Sequence, residues 1–119
     1  MAMAQAVMLA KFKHNKEKNK PRMKQIDGPS INILYIEMNE EMEKFSIATA
    51  MSNYNALVDG EKVHMKDLAE SIKETFDAKY AGTWHIIVGK SFGSYVTHEV
   101  SSIIYFFIGS VGFLIFKHG

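Results

Sequence analysis

Thr83-Trp84-His85-Ile86-Ile87-Val88-Gly89-Lys90-Ser91-Phe92-Gly93-Ser94-Tyr95-Val96-Thr97-His98-Glu99 is the stretch that decides the fold. Trp84 to Val88 is rich in β-branched and aromatic residues and reads as a strand, Gly89-Lys90-Ser91 as a break, and Phe92 to Glu99 as a second strand. Along the second, Phe92, Ser94, Val96 and His98 alternate with Gly93, Tyr95 and Thr97, so the two sets point to opposite faces. Gly93 lets another backbone come close. Patterning alone makes 84–99 a local hairpin.

Toward the C-terminus, Ile103 to Ile108 and Val111 to Phe116 are two further strands, separated by Gly109-Ser110. Toward the N-terminus, Met65, Leu68, Ala69, Ile72, Phe76 and Tyr80 form one apolar stripe at helical spacing, closed by Ala81-Gly82. Asp59-Gly60 marks a turn before it. An earlier helix starts after Asn39, an N-cap residue, with Glu40, Glu41 and Glu43 suited to the helix dipole, and runs to about Asn55. Ser30 to Glu37 is the first strand of the set. The order β-α-α-β-β-β-β predicts an α+β domain, two helices packed on an antiparallel sheet.

Charge divides the 119 residues in two. Residues 1–28 hold seven of the 14 basic side chains and two acids, a net of +5, whereas 29–119 carry a net of −4. The expected organisation is a basic N-terminal extension (1–28) and one domain (29–119). Lys11 to Gly28, broken by Pro21 and Gly28, reads as a flexible arm. The arm has one aromatic, Phe12, so a solvated tail or one docking on an acidic protein suits it better than a nucleic-acid site. Met1 to Ala10 is apolar and precedes the lysines, the reverse of a secretory signal, so cytosolic or cytoskeletal residence is expected. With no cysteine, disulfides and thiolate zinc sites are excluded. A core of about 90 residues is marginal alone, and oligomerisation is a common remedy.

Several chemistries fail on inspection. Val100 to Phe116 is apolar enough to suggest a tail-anchored membrane span. It is nevertheless short of the roughly 20 residues needed and interrupted by Ser101, Ser102, Gly109, Ser110 and Gly112. Two doubly buried strands explain it better. Gly89-Lys90-Ser91 mimics the end of a phosphate-binding loop, but Trp84 stands where the first glycine is required. Ser94, His85, His98 and Glu99 lack a nucleophile elbow, and the histidines lack zinc spacing. No enzyme, cofactor or metal is expected.

The run from Thr83 to Glu99 resembles the dynein light chains of the light-chain-eight type, above all in Trp84-His85, Val88-Gly89 and Phe92 to Glu99. The likeness extends through Ile104-Tyr105-Phe106, Gly109 and Phe116-Lys117, back to Phe76-Asp77, Lys79-Tyr80 and Glu40-Glu41-Met42, and covers about 30–119. It implies a strand-swapped homodimer, or a heterodimer with a related light chain, in which Phe92–Glu99 crosses to the sister subunit instead of closing a hairpin. Extended partner segments, dynein intermediate chains among them, then add to the free edge of that strand. By the resemblance the partner groove uses Lys66, Ser91, Phe92, Gly93, Ser94, Tyr95, Val96, Thr97, His98, Ile103, Tyr105, Phe107 and Gly112. The dimer interface uses His85, Ile87, Gly89, Lys90, Ser94, Tyr95 and Thr97. It further implies a non-enzymatic subunit of a microtubule motor, cytoplasmic and cytoskeletal, with the ciliary axoneme as one setting. A dimerisation hub outside dynein is the alternative. Met65 departs from the family's usual acidic residue beside the groove lysine, Ile103 from an aromatic, Phe107 from Tyr, and Ala56–Lys62 lengthens the inter-helix loop.

Overall fold

The computed structural model describes residues 3–11 and 29–119. Its elements are β1 (Met3–Lys11), β2 (Ile31–Glu37), α1 (Glu40–Val58), α2 (Met65–Lys79), β3 (Trp84–Gly89), β4 (Ser91–Glu99), β5 (Ile103–Ile108) and β6 (Val111–Lys117). β2, β5, β6 and β3 form an antiparallel four-stranded sheet in that order, and β1 pairs with β4 in a separate two-stranded ribbon. Both helices pack on one face of the four-stranded sheet.

The central strands are the most apolar, and burial on both faces explains why. Toward the helices, Ile104, Phe106, Ile108, Val111, Phe113 and Ile115 pack with Leu68, Ile72, Phe76, Ala50 and Trp84. Toward the other face, Ile103, Tyr105, Phe107, Leu114 and Phe116 form a second cluster, flanked by Leu34, Ile87, Phe92 and Val96. Each large side chain so enclosed contributes about 1.5–3 kcal/mol of gross burial. Gly109 turns β5 into β6 with φ +58, a left-handed conformation that favours glycine. Its N–H donates to the Ser30 carbonyl, which sets β2 beside β5. In β2, a bulge between Ile33 and Tyr35 resets the alternation. Leu34 therefore faces the second cluster while Ile31, Ile33 and Ile36 all serve the helix side.

Asn39 caps α1, its Oδ1 accepting from the Met42 N–H at 2.7 Å. The buried line of α1 is Ser46, Ala50 and Asn53, and the apolar residues that marked the helix in sequence, Met42, Phe45, Ile47, Met51 and Tyr54, are only half-buried. Small residues let the helix backbone approach, and the longer side chains reach down both flanks. Ser46 Oγ and Asn53 Nδ2 donate to the carbonyls of Met42 and Thr49 one turn back, so the polar line meets the core satisfied on its donor side. α2 follows its stripe, with Leu68, Ile72 and Phe76 fully buried. Its end is clipped to β3: Lys73 Nζ donates to Asp77 Oδ2 (2.9 Å) and to the Trp84 carbonyl (2.7 Å), and the Trp84 N–H donates to Asp77 Oδ1 (3.1 Å).

The local hairpin expected for 84–99 does not form. Only Lys90 separates β3 from β4, one residue fewer than the commonest hairpin loop. β3 pairs with β6 and β4 pairs with β1. Val100–Phe116 is the turn into β5, β5 itself and most of β6; among the described residues no helix is long and apolar enough to cross a membrane. Most of the basic arm, 12–28, lies outside the described residues, whereas Lys11 ends β1.

Candidate functional site

β4 leaves its neighbour in sequence and lies over the sheet face opposite the helices. Phe92 and Val96 pack against the second cluster, and the Phe92 ring sits 5.7 Å from that of Tyr105, which is 5.9 Å from Phe107. Gly93, Ser91 and Tyr95 are exposed, Tyr95 at 67%. The strand is thus half embedded and half open along its length.

One end of β4 is anchored. Glu99 is buried and its Oε1 lies 3.3 Å from Lys117 Nζ, joining β4 to the end of β6. His98 is also buried, with Nδ1 2.9 Å from the Glu99 carbonyl oxygen. The remaining polar atoms beneath β4 are not provided for. Ser94 Oγ, His98 Nε2 and the Tyr105 hydroxyl are enclosed with no hydrogen-bond partner among the described residues, as is Oδ1 of Asn32, the register partner of Phe107. Burial pushes the Tyr105 phenol well above its ordinary range. A buried polar atom left unpaired costs about 1–3 kcal/mol, and on the helix side Asn53 Oδ1, the Tyr80 hydroxyl and Trp84 Nε1 are likewise enclosed with no hydrogen-bond partner among the described residues.

The expected groove residues divide by layer. The structure gathers Phe92, Ser94, Val96 and His98 of β4 against Ile103, Tyr105, Phe107 and Gly112 of the sheet, while Ser91, Gly93, Tyr95 and Thr97 alternate on the other side of β4. At Gly112 a Cβ would lie 3.0 Å from the Phe107 ring and 3.3 Å from the Gly89 carbonyl oxygen, so that ring already lies across the glycine. Lys66 is not brought to them: it is exposed in the first turn of α2, on the helical side of the sheet. Of the expected interface residues, His85, Ile87 and Gly89 face the same side as the second cluster, and Lys90 is exposed at the join. His85 stacks on Phe116 at 5.3 Å, and its Nε2 lies 3.0 Å from the His118 carbonyl oxygen.

Two features escaped the sequence. One is the Glu99–Lys117 pair, for which spacing gives no signal. The other is β1, whose nine residues pair antiparallel with all of β4, from Met3 opposite Glu99 to Lys11 opposite Ser91. The run Met1–Ala10 has neither the alternation nor the β-branched content that marks a strand.

Two helices on a four-stranded antiparallel sheet, with one strand set outside that sheet, define a small α+β domain. The family model for dynein light chain type 1 matches residues 30–118, and the chain belongs to that family. Among solved structures it is similar to the dynein light chain-like domain of the Fasciola hepatica calcium binding protein FhCaBP2. The TM-score is 0.62 at 22% identity, covering 81% of this chain and 100% of that one. A mercury derivative of that domain matches with a TM-score of 0.58 at 22% identity, over 75% and 92% of the two chains. The likeness confirms the two helices on a four-stranded antiparallel sheet.

Proposed function

We propose that the chain is a non-enzymatic dimeric light chain of a dynein motor, holding extended segments of intermediate chains by strand addition at β4. The observation that carries this is the open outer edge of β3. It is an edge strand of the four-stranded sheet whose outer side has no described partner, one residue away from a β4 that does not fold back onto it. A second copy's β4 completes that edge, and the exchange supplies the buried area that a small domain lacks. Because α2 is clipped to β3 by Lys73 and Asp77, a strand arriving at β3 also comes alongside α2. That is how Lys66, remote from its own β4, takes part in a groove built from two chains. Two such grooves hold two partner segments side by side, in a cytoplasmic and cytoskeletal setting typical of the family, with the ciliary axoneme as one such setting.

Affinity purification from the source cells with sedimentation of the purified chain tests this. A dimer that retains dynein intermediate chains is expected. Lys66→Ala should weaken retention by roughly 1–3 kcal/mol while leaving the dimer intact, if its ammonium makes a charge-assisted hydrogen bond. A monomer, or a dimer that retains no other chain, overturns the proposal. A hub in an assembly other than a motor is the second reading, favoured by the fact that the similar solved domain belongs to a protein described as calcium binding. The identity of the co-purifying chains decides between them.

A further inference from the structure

We infer that β1 is a built-in occupant of the β4 edge, a tethered strand that an incoming partner segment must displace. The inference rests on the proposed use of β4 as the partner-binding strand. Pairing is end to end: Met3 is opposite Glu99, Val7 opposite Tyr95, and Lys11 opposite Ser91, with no register shift between them. An edge so covered presents no free ladder groups on that side to another chain.

The connection permits pairing within one chain. Lys11 meets Ser91, two residues beyond Gly89, which is itself registered with Gly112 near the β5–β6 turn. Pro29 and Ser30 lie against Gly109 in that same turn. Both ends of segment 12–28 therefore stand at one end of the sheet. Seventeen residues can span roughly 55 Å at about 3.3 Å each, and the longest dimension of the molecule is 38 Å.

The composition of β1 suits an occupant that can leave. The positions registered with His98, Val96, Ser94 and Phe92 are Ala4, Ala6, Met8 and Ala10. An alanine offers one methyl group, so on this face the pairing relies chiefly on backbone hydrogen bonds. Tethering raises the local concentration of such a strand to the millimolar range, enough to exclude weak segments and yield to strong ones. β1 then acts as a threshold on partner affinity.

The test uses the full chain and its Ala6→Pro/Val7→Pro variant. The two positions are adjacent, so one of the lost amides faces β4 whichever edge is used. Alternate amides of Ser91–Glu99 should exchange with deuterium at least tenfold faster in the variant, with β5 and β6 unchanged. A fluorescent peptide of residues 1–11 should bind the variant at least tenfold more tightly than the parent chain. Equal exchange along β4, or equal peptide affinity, overturns the inference. If those readouts are equal and intermediate-chain retention persists, the inference falls and the proposed function stands. If β4 exchange responds but no partner is retained by either chain, the partner-strand reading falls and takes the displacement with it.

Discussion

β5 and β4 are both strands next to the same aromatic cluster, yet they have opposite characters. β5, Ile-Ile-Tyr-Phe-Phe-Ile, is buried at all six positions, between the helices on one side and β4 with the second cluster on the other. β4, Ser-Phe-Gly-Ser-Tyr-Val-Thr-His-Glu, alternates between half-buried and exposed until its anchored end, and covers polar atoms that have no hydrogen-bond partner among the described residues. Continuous apolarity marks a strand whose surroundings come from its own chain. Alternation broken by glycine and serine marks one that is embedded on one side and open on the other.

The strongest test of that contrast sets Phe106→Ala against Tyr95→Ala. Phe106 is fully buried and stacks on Phe113 with ring centroids 5.4 Å apart, so truncation should cost about 3–5 kcal/mol in denaturant unfolding. Tyr95 is 67% exposed, and its truncation should stay within about 1 kcal/mol while weakening dimerisation in sedimentation. If Tyr95→Ala destabilises the fold as much as Phe106→Ala, β4 is an ordinary core strand and the comparison fails.

Next in size is the anchor that keeps β4 on its own chain. Lys117→Met would leave the Glu99 carboxylate enclosed without its cation, and should cost about 2–3 kcal/mol, less than for a fully buried pair because Lys117 keeps 23% of its side-chain surface. The double variant with Glu99→Leu should recover most of the loss. A single variant as stable as the parent would show that β4 is not held at this end.

Much of this was legible before the structure, for physical reasons that differ by element. The α2 stripe, the Asn39 cap and the doubly buried β5 and β6 each leave a local pattern, and each lies where expected to within three residues. The partner of β4 was not legible, because strand patterning records faces and not which edge meets which. Hence residues alone suggested a hairpin for 84–99, and only the resemblance to the light-chain-eight type pointed away from it. β1 was hidden for the related reason that backbone pairing asks little of its side chains. Of the site, the resemblance named Tyr105 and Phe107 as a groove floor, and the structure places them in the second cluster, whereas nothing in the sequence pointed to the Oδ1 of Asn32.

A smaller effect belongs to the clip between α2 and β3, on the fixed side of the comparison. The Lys73 ammonium donating to Asp77, with help from the Trp84 N–H, holds the Asp77 carboxyl below the usual carboxylate range. A lowered value means the contribution is present above the ordinary carboxylate pKa and is lost as pH falls through the lowered one. Both side chains keep over a third of their surface, so solvent screens the pair, and Asp77→Asn should cost about 1 kcal/mol or less near neutral pH. The difference between parent and variant should shrink in acid below the ordinary carboxylate value. A difference that grows there would mean that Asp77 acts through something other than its charge.

The smallest expected change in stability comes from Tyr105→Phe, and it separates the two regions most sharply. The ring is 2% exposed and packs between Phe92 and Phe107, and phenylalanine preserves all of that contact. The hydroxyl is enclosed with no partner among the described residues, so its removal relieves a desolvation cost rather than breaking a bond seen here. In the isolated chain the variant should therefore be as stable as the parent or more so, by up to about 1 kcal/mol. A strand core would end the matter there. If the hydroxyl is kept for a hydrogen bond made only when another chain is seated on this face, the same variant should lower dimer or partner affinity by about 1 kcal/mol, roughly fivefold. Thermal unfolding alongside sedimentation and partner retention reads both quantities on one protein. A variant that is less stable and binds as before would show that the hydroxyl serves the fold, and that the unpaired atoms under β4 are not reserved for a partner.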